Sequence, residues 1–189
     1  MEPGSTAQEF VGQVLLRMRM AGWKTTRATL SGQVVDVAKQ RDVPRLSTYL
    51  TVMYRVVVVA AVDDVDLHFT EAFSRAAFTW GSRHKGTWIP RGLQVGAMVL
   101  PVIASPNITA EAATWLTTEM PKGFSALCCP IGVDTTNATL LFREDFGVFG
   151  RAYVPHRREV IERFTRPALM AALGRSLPGH PDVIENAGQ

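Results

Sequence analysis

The residue types best suited to chemistry cluster in "KGTWIPRGLQVG", Lys85 to Gly96. Lys85, Trp88, Arg91 and Gln94 bring two cations, an aromatic ring and an amide to a segment that Pro90 stiffens and Gly86 and Gly92 free. Such a set suits binding. Trp and Arg anchor protein partners, and the same pair stacks a base beside a phosphate clamp. It is not a phosphate loop: Gly92 and Gly96 are four apart, no Lys-Ser or Lys-Thr follows, and an apolar run comes next instead of a helix.

Other clusters invite simpler accounts. Asp63, Asp64, Asp66 and His68 offer oxygen ligands of the kind Mg²⁺ and Ca²⁺ take. They lack EF-hand spacing, and acids in a strand-to-helix turn also complement the positive end of the helix. Arg151, His156 and Arg157 precede or open a helix, where an anion can bind. Glu159 and Glu162 interleave with Arg158 and Arg163, the pattern of an ion-paired helix surface. The histidines, His68, His84, His156 and His180, show no metal-ligand spacing, and no serine-nucleophile motif is present. Cys128 and Cys129 are neighbours. On a strand they point to opposite faces, so they read as two small buried thiols.

The chain has 189 residues, enough for one domain, expected over residues 1–175 with a loose tail at 176–189. Apolar residues make up 47% and charged residues 20%, a globular composition. A mean hydropathy of +0.07 leaves apolar surface for a second subunit, so a homo-oligomer is expected. The net charge of +3 rests on 16 Arg against 4 Lys. On charge alone that excess is not the field of a dedicated nucleic-acid binder, and the Arg, Ala and Val usage suggests a GC-rich bacterial genome. No apolar run approaches the ~20 residues of a membrane span. The start "MEPGSTAQEF" has no signal-peptide pattern. A cytoplasmic protein without a membrane partner is expected.

These residues must be positioned by alternating elements. Thr6 and Glu9 form a capping box ahead of a helix that Gly22 ends. Three strands follow, near Trp23–Leu30, Gln33–Lys39 and Thr48–Val62. The third is apolar without a break after Arg55, as a central strand is. A helix with Phe69, Phe73, Ala77 and Trp80 on one stripe stops at Gly81 or Gly86. The strand "LQVGAMVLPVIAS" contains Pro101, which predicts an edge, a bulge or a strand end. Thr109 caps a short helix that Pro121 stops. Two strands then flank the turn Asp134–Asn137, and a last helix from Pro155 kinks or restarts at Pro167. The order predicts an α/β or α+β domain with one mixed central β-sheet covered by helices.

A helix, a β-meander with Asp36 on its second strand, a helix and a further strand: in this order the first hundred or so residues resemble the core of the PD-(D/E)XK, or restriction endonuclease-like, fold. The resemblance implies a carboxylate at Asp36 that holds Mg²⁺ or Mn²⁺, with the metal activating water against a phosphodiester. The strand that should carry the D/E-x-K, "STYLTVMYRVVVV", has no acidic residue. The metal site implied is therefore incomplete, with Gln33 and Lys39 beside Asp36 and an acid of the Asp63–Asp66 group left to complete it.

Two functions follow as expectations. The first is a non-catalytic binding protein, with a degenerate nuclease-like core and no cofactor, that meets a protein partner, itself or nucleic acid through Lys85–Gly96. The alternative is a Mg- or Mn-dependent nuclease with Asp36, Gln33 and Lys39 at its centre.

Overall fold

The computed structural model describes residues 5–30, 32–41, 52–84, 95–123, 126–145 and 153–175. Helix α1 (Ser5–Met20) opens the chain, and Gly22 takes φ +81° to turn out of it. Strands β1 (Lys24–Leu30), β2 (Gln33–Arg41) and β3 (Val52–Ala61) form an antiparallel meander. The two-residue strand β4 (Asp64–Val65) leads into α2 (Leu67–Arg83). Strand β5 (Val95–Ser105) returns parallel to β3. After β6 (Asn107–Ile108), α3 (Ala110–Thr118) and β7 (Lys122–Gly123) come β8 (Ala126–Cys128) and β9 (Ile131–Asp134), both parallel to β5. Strand β10 (Thr139–Leu141) closes a hairpin on β9. The chain then runs through α4 (Val154–Glu159), a π-helical stretch (Val160–Thr165) and α5 (Arg166–Ala172).

The result is the α/β architecture the element order predicts: one mixed sheet of eight strands, ordered β1-β2-β3-β5-β8-β7, with β9 also on β5 and β10 on β9. Strand alternation sorts its apolar side chains into two cores. Val57, Val59, Met98, Leu100 and Val102 pack under α1 and the C-terminal helices, with Phe10, Val14 and Phe164. Val56, Val58, Val99 and Ile103 pack under α2 and α3, with Phe73 and Ala77.

Two sequence expectations are corrected by packing. Of the two stops expected for α2, Gly86 lies outside the described residues and Gly81 does not stop the helix, which continues to Arg83. A Cβ at Gly81 would lie 2.7 Å from Val99 Cγ2, so this glycine is what lets the helix approach β5. Pro101 lies at neither an edge nor a strand end: β3 flanks β5 on one side and β8 and β9 on the other. The Cys129 N–H donates to the Val99 carbonyl at 2.8 Å, so the polar backbone groups of Val99, and of Pro101 two residues on, face β8 and β9. The β8 ladder ends at Val99 and the β9 ladder begins at Val102. The missing N–H of Pro101 thus falls at the interruption between the β8 and β9 ladders.

Several local signals hold. Asp66 caps α2 by accepting from the Phe69 N–H at 2.7 Å, and Thr109 caps α3. The Asp134 carboxylate accepts from the N–H groups of Thr136 and Asn137, at 2.9 and 2.8 Å, inside the β9–β10 turn. Pro167 is associated with a register change: it has no N–H to donate, and the Arg166 N–H pairs five residues back, with the Ile161 carbonyl.

Candidate anion-binding cleft

Strand β1 stops short of the end of β2. Its first residue, Lys24, pairs with Lys39, and no β1 residue pairs with Gln40 or Arg41. A cleft of about 460 Å³ opens at this notch, lined by Gly22, Lys24, Lys39, Gln40, Arg41, Tyr54, Arg55, Val56 and His84. Because the ladder ends here, side chains from both sheet faces reach the same space. Lys39 and Arg41 belong to the α2 face, Gln40 and Arg55 to the α1 face.

Register makes the cleft positive. Lys24 and Lys39 stand directly opposite each other, so their side chains share a face. Arg41 opposes Tyr54 and lies over its ring, 5.7 Å from the centroid. Lys39 Nζ lies 5.1 Å from the Trp80 ring of α2, and the His84 ring stacks on Trp80 at 4.2 Å. The Trp80 carbonyl accepts from His84 Nδ1 at 2.9 Å, which fixes the imidazole. Among the described residues, Lys24, Lys39 and Arg41 have no carboxylate partner, and the cleft lining contains no acid.

Arg55 is the buried cation of the group, 3% exposed in an otherwise apolar strand. Its guanidinium donates to Glu159 Oε2 at 2.6 Å and to Gln40 Oε1 at 2.5 Å, and lies 5.0 Å from the Trp23 ring. A guanidinium can be buried only with such partners.

The expected site residues are dispersed. Lys85, Trp88, Arg91 and Gln94 lie outside the described residues. Their segment is bounded by His84, which lines the cleft, and by Val95, which with Gly96 opens β5. Gln33, Asp36 and Lys39 all lie on β2, but at steps of three, so Asp36 occupies the opposite face from the other two. Asp36 faces Arg27 across the β1–β2 ladder, at 3.6 Å. Asp64 accepts from the Asn107 side-chain amide, Asp66 is the α2 cap, and His68 is exposed. Among the described residues no three His, Cys, Asp or Glu side chains form a metal-ligand cluster.

Of the expected anion-binding trio, Arg151 lies outside the described residues, and His156 and Arg157 are buried on α4. Arg157 donates to the carbonyls of Arg143 and Glu144 and lies over Phe142, so its role is to tie the chain after β10 to α4. Burial lowers its pKa, an effect that Cys129 and Glu144 oppose.

Cys128 and Cys129 are free, buried thiols on opposite faces. The first faces the Ser74 carbonyl of α2 and the second Met120. Burial raises both pKa values, that of Cys129 to about 12, so both stay protonated and unreactive at neutral pH. A larger concavity of about 640 Å³ lies between α3 and the residues after β10. Its one cation, Arg143, donates to the Thr118 carbonyl, beside Glu144 and Asp145.

Lys24, Arg41, Tyr54 and His84 were not singled out from sequence. The available signal was the run of cationic residues at consecutive strand ends, together with one arginine inside an apolar strand. No family model matches the chain, and comparison with curated proteins and with solved structures gives no match. No helix among the described residues is long and apolar enough to cross a membrane.

Proposed function

We propose that this chain acts by binding, and that its ligand is an anion, phosphate- or carboxylate-bearing, held in the notch beside β2. One observation carries the reading. Lys24 opposes Lys39 directly across a strand pair, with Arg41 two residues on and no acid in the lining. Like charges directly opposite each other destabilise a sheet. An anion between them reverses that sign, and charge-assisted hydrogen bonds from Lys and Arg are the strong ones. The buried Arg55 is compensated by Glu159 at the base of the cleft, so among the described residues the free positive charge there belongs to Lys24, Lys39 and Arg41.

The separation of Asp36 from Gln33 and Lys39 gives no support to metal-dependent cleavage at those residues. The cleft offers cations, an amide, a phenol and an imidazole, groups that hold charge.

The test is calorimetric titration of the full chain with tripolyphosphate. Saturable binding that weakens about tenfold or more in Lys39→Ala/Arg41→Ala supports the reading, since each lost charged hydrogen bond is worth roughly 1.5–3 kcal/mol. Circular dichroism checks that the variant is folded. Equal affinity in wild type and folded variant, or no binding at all, overturns it.

A further inference from the structure

The cleft does not end at His84. A second concavity of about 540 Å³ adjoins it along α2, lined by Leu30, Ala72, Arg75, Ala76, Thr79, Trp80, Arg83 and His84. His84 lines both spaces, and the Trp80–His84 stack stands where they meet. The floor of the second groove is apolar, from Leu30, Ala72 and Ala76, while Arg75 and Arg83 edge it. Both arginines are exposed, and neither has a carboxylate partner among the described residues. From Ala72 to His84 the helix rises about 18 Å.

We infer that the ligand is single-stranded nucleic acid, lying from the Lys24–Lys39–Arg41 cleft across His84 and along α2 between Arg75 and Arg83. This rests on the proposed anion-binding cleft and extends it. Three features select this ligand over a compact anion. The uncompensated positive groups among the described residues form a line: Lys24, Lys39 and Arg41 in one space, Arg75 and Arg83 in the next, with no acid in either lining. An apolar floor between cations suits bases with phosphates at the edge. The exposed His84 ring, fixed by its bond to the Trp80 carbonyl and stacked on Trp80, offers a platform on which an unpaired base continues the stack. A paired base has no such face to offer, which selects single strand over duplex.

The experiment measures anisotropy of fluorescein-labelled dT12 on the full chain, with dT12 as a 12-base oligothymidine. A 12-base-pair duplex, tripolyphosphate and hexaglutamate serve as competitors, and salt is varied. The inference predicts that dT12 binds about tenfold or more tighter than tripolyphosphate and tighter than the duplex. It predicts a log–log salt slope near −3, as four to five neutralised phosphates give at roughly −0.7 each. Arg75→Ala/Arg83→Ala, at exposed helix positions where Ala is a good former, should weaken dT12 about tenfold, lower the slope by about 1.4, and leave tripolyphosphate binding unchanged. If dT12 binds no tighter than tripolyphosphate, or the double variant binds dT12 as wild type does, the inference fails while the cleft reading stands. Tighter binding of the duplex or of hexaglutamate also overturns it, the latter in favour of an acidic polypeptide. If neither dT12 nor tripolyphosphate binds, both readings fail.

Discussion

Arg55 and Glu159, 104 residues apart in the chain, meet at 2.6 Å, joining the central strand β3 to helix α4 at the base of the cleft. The guanidinium is almost wholly buried, and the carboxylate is one-third exposed. The pair holds the C-terminal helices against the sheet at the point where β2 leaves its neighbour.

Removing one partner of such a pair strands the other. Arg55→Ala should lower unfolding free energy by about 3–5 kcal/mol, and Glu159→Gln by about 1–3 kcal/mol. In a double-mutant cycle the two should be non-additive by about 1 kcal/mol or more. Urea unfolding of the four proteins checks this. Additive losses would mean that the contact contributes no coupling.

Lys24 and Lys39 should trade stability for binding. Lys24→Glu replaces an opposed like-charge pair with an opposite-charge pair, so the folded protein should gain roughly 0.2–1 kcal/mol. The same change should weaken tripolyphosphate binding about tenfold. Urea midpoints and calorimetry on the one variant read both signs. A variant that is less stable or binds equally well contradicts the assigned role of the pair.

At Gly81 two effects oppose. Alanine improves helix propensity by about 1 kcal/mol, but its Cβ meets Val99 at 2.7 Å in a packed core. Overpacking costs about 1–3 kcal/mol. Gly81→Ala should therefore destabilise, by up to about 2 kcal/mol, and thermal unfolding decides the sign.

The buried thiols set a high-pH limit. Cys129 titrates near 12 when folded, against 9.0 for a free thiol, and Cys128 is raised as well. The folded state therefore binds more protons than the unfolded state above pH 9. Their contribution to stability is full below pH 9 and is lost as pH rises toward 12. Urea midpoints should fall between pH 9 and 10.5, and the fall should be shallower in Cys128→Ala/Cys129→Ala. A slope that the double variant leaves unchanged would assign the effect elsewhere, such as Tyr153, whose pKa burial also raises.

Much of the fold was legible because its signals are local. The Thr109 cap, the Asp134 turn and the continuous apolar run of β3 each act within a few residues. Gly81 and Pro101 were misread because their reasons are tertiary. One is the distance to a valine on another strand, the other a gap in a neighbouring ladder. The cleft is a mixed case. Leu30 pairs with Gln33 around Gly32, at φ +79°, and counting six residues back and six forward along the two strands reaches Lys24 and Lys39. Their opposition was thus within reach of the hairpin register. So was the separation of Asp36 from Gln33 and Lys39, since odd steps along a strand change face. The contribution of α2 was not: Trp80 and His84 reach the cleft only through the packing of that helix on β5.

The most direct test of the central claim is where an anion binds. Amide chemical shifts of the isotopically labelled full chain would be followed during titration with tripolyphosphate. The cleft predicts saturable shifts at Gly22, Lys24, Lys39 to Arg41, Tyr54 to Val56 and His84. Shifts confined instead to the concavity at Thr117, Phe142 and Glu144, or none at saturating anion, would contradict it.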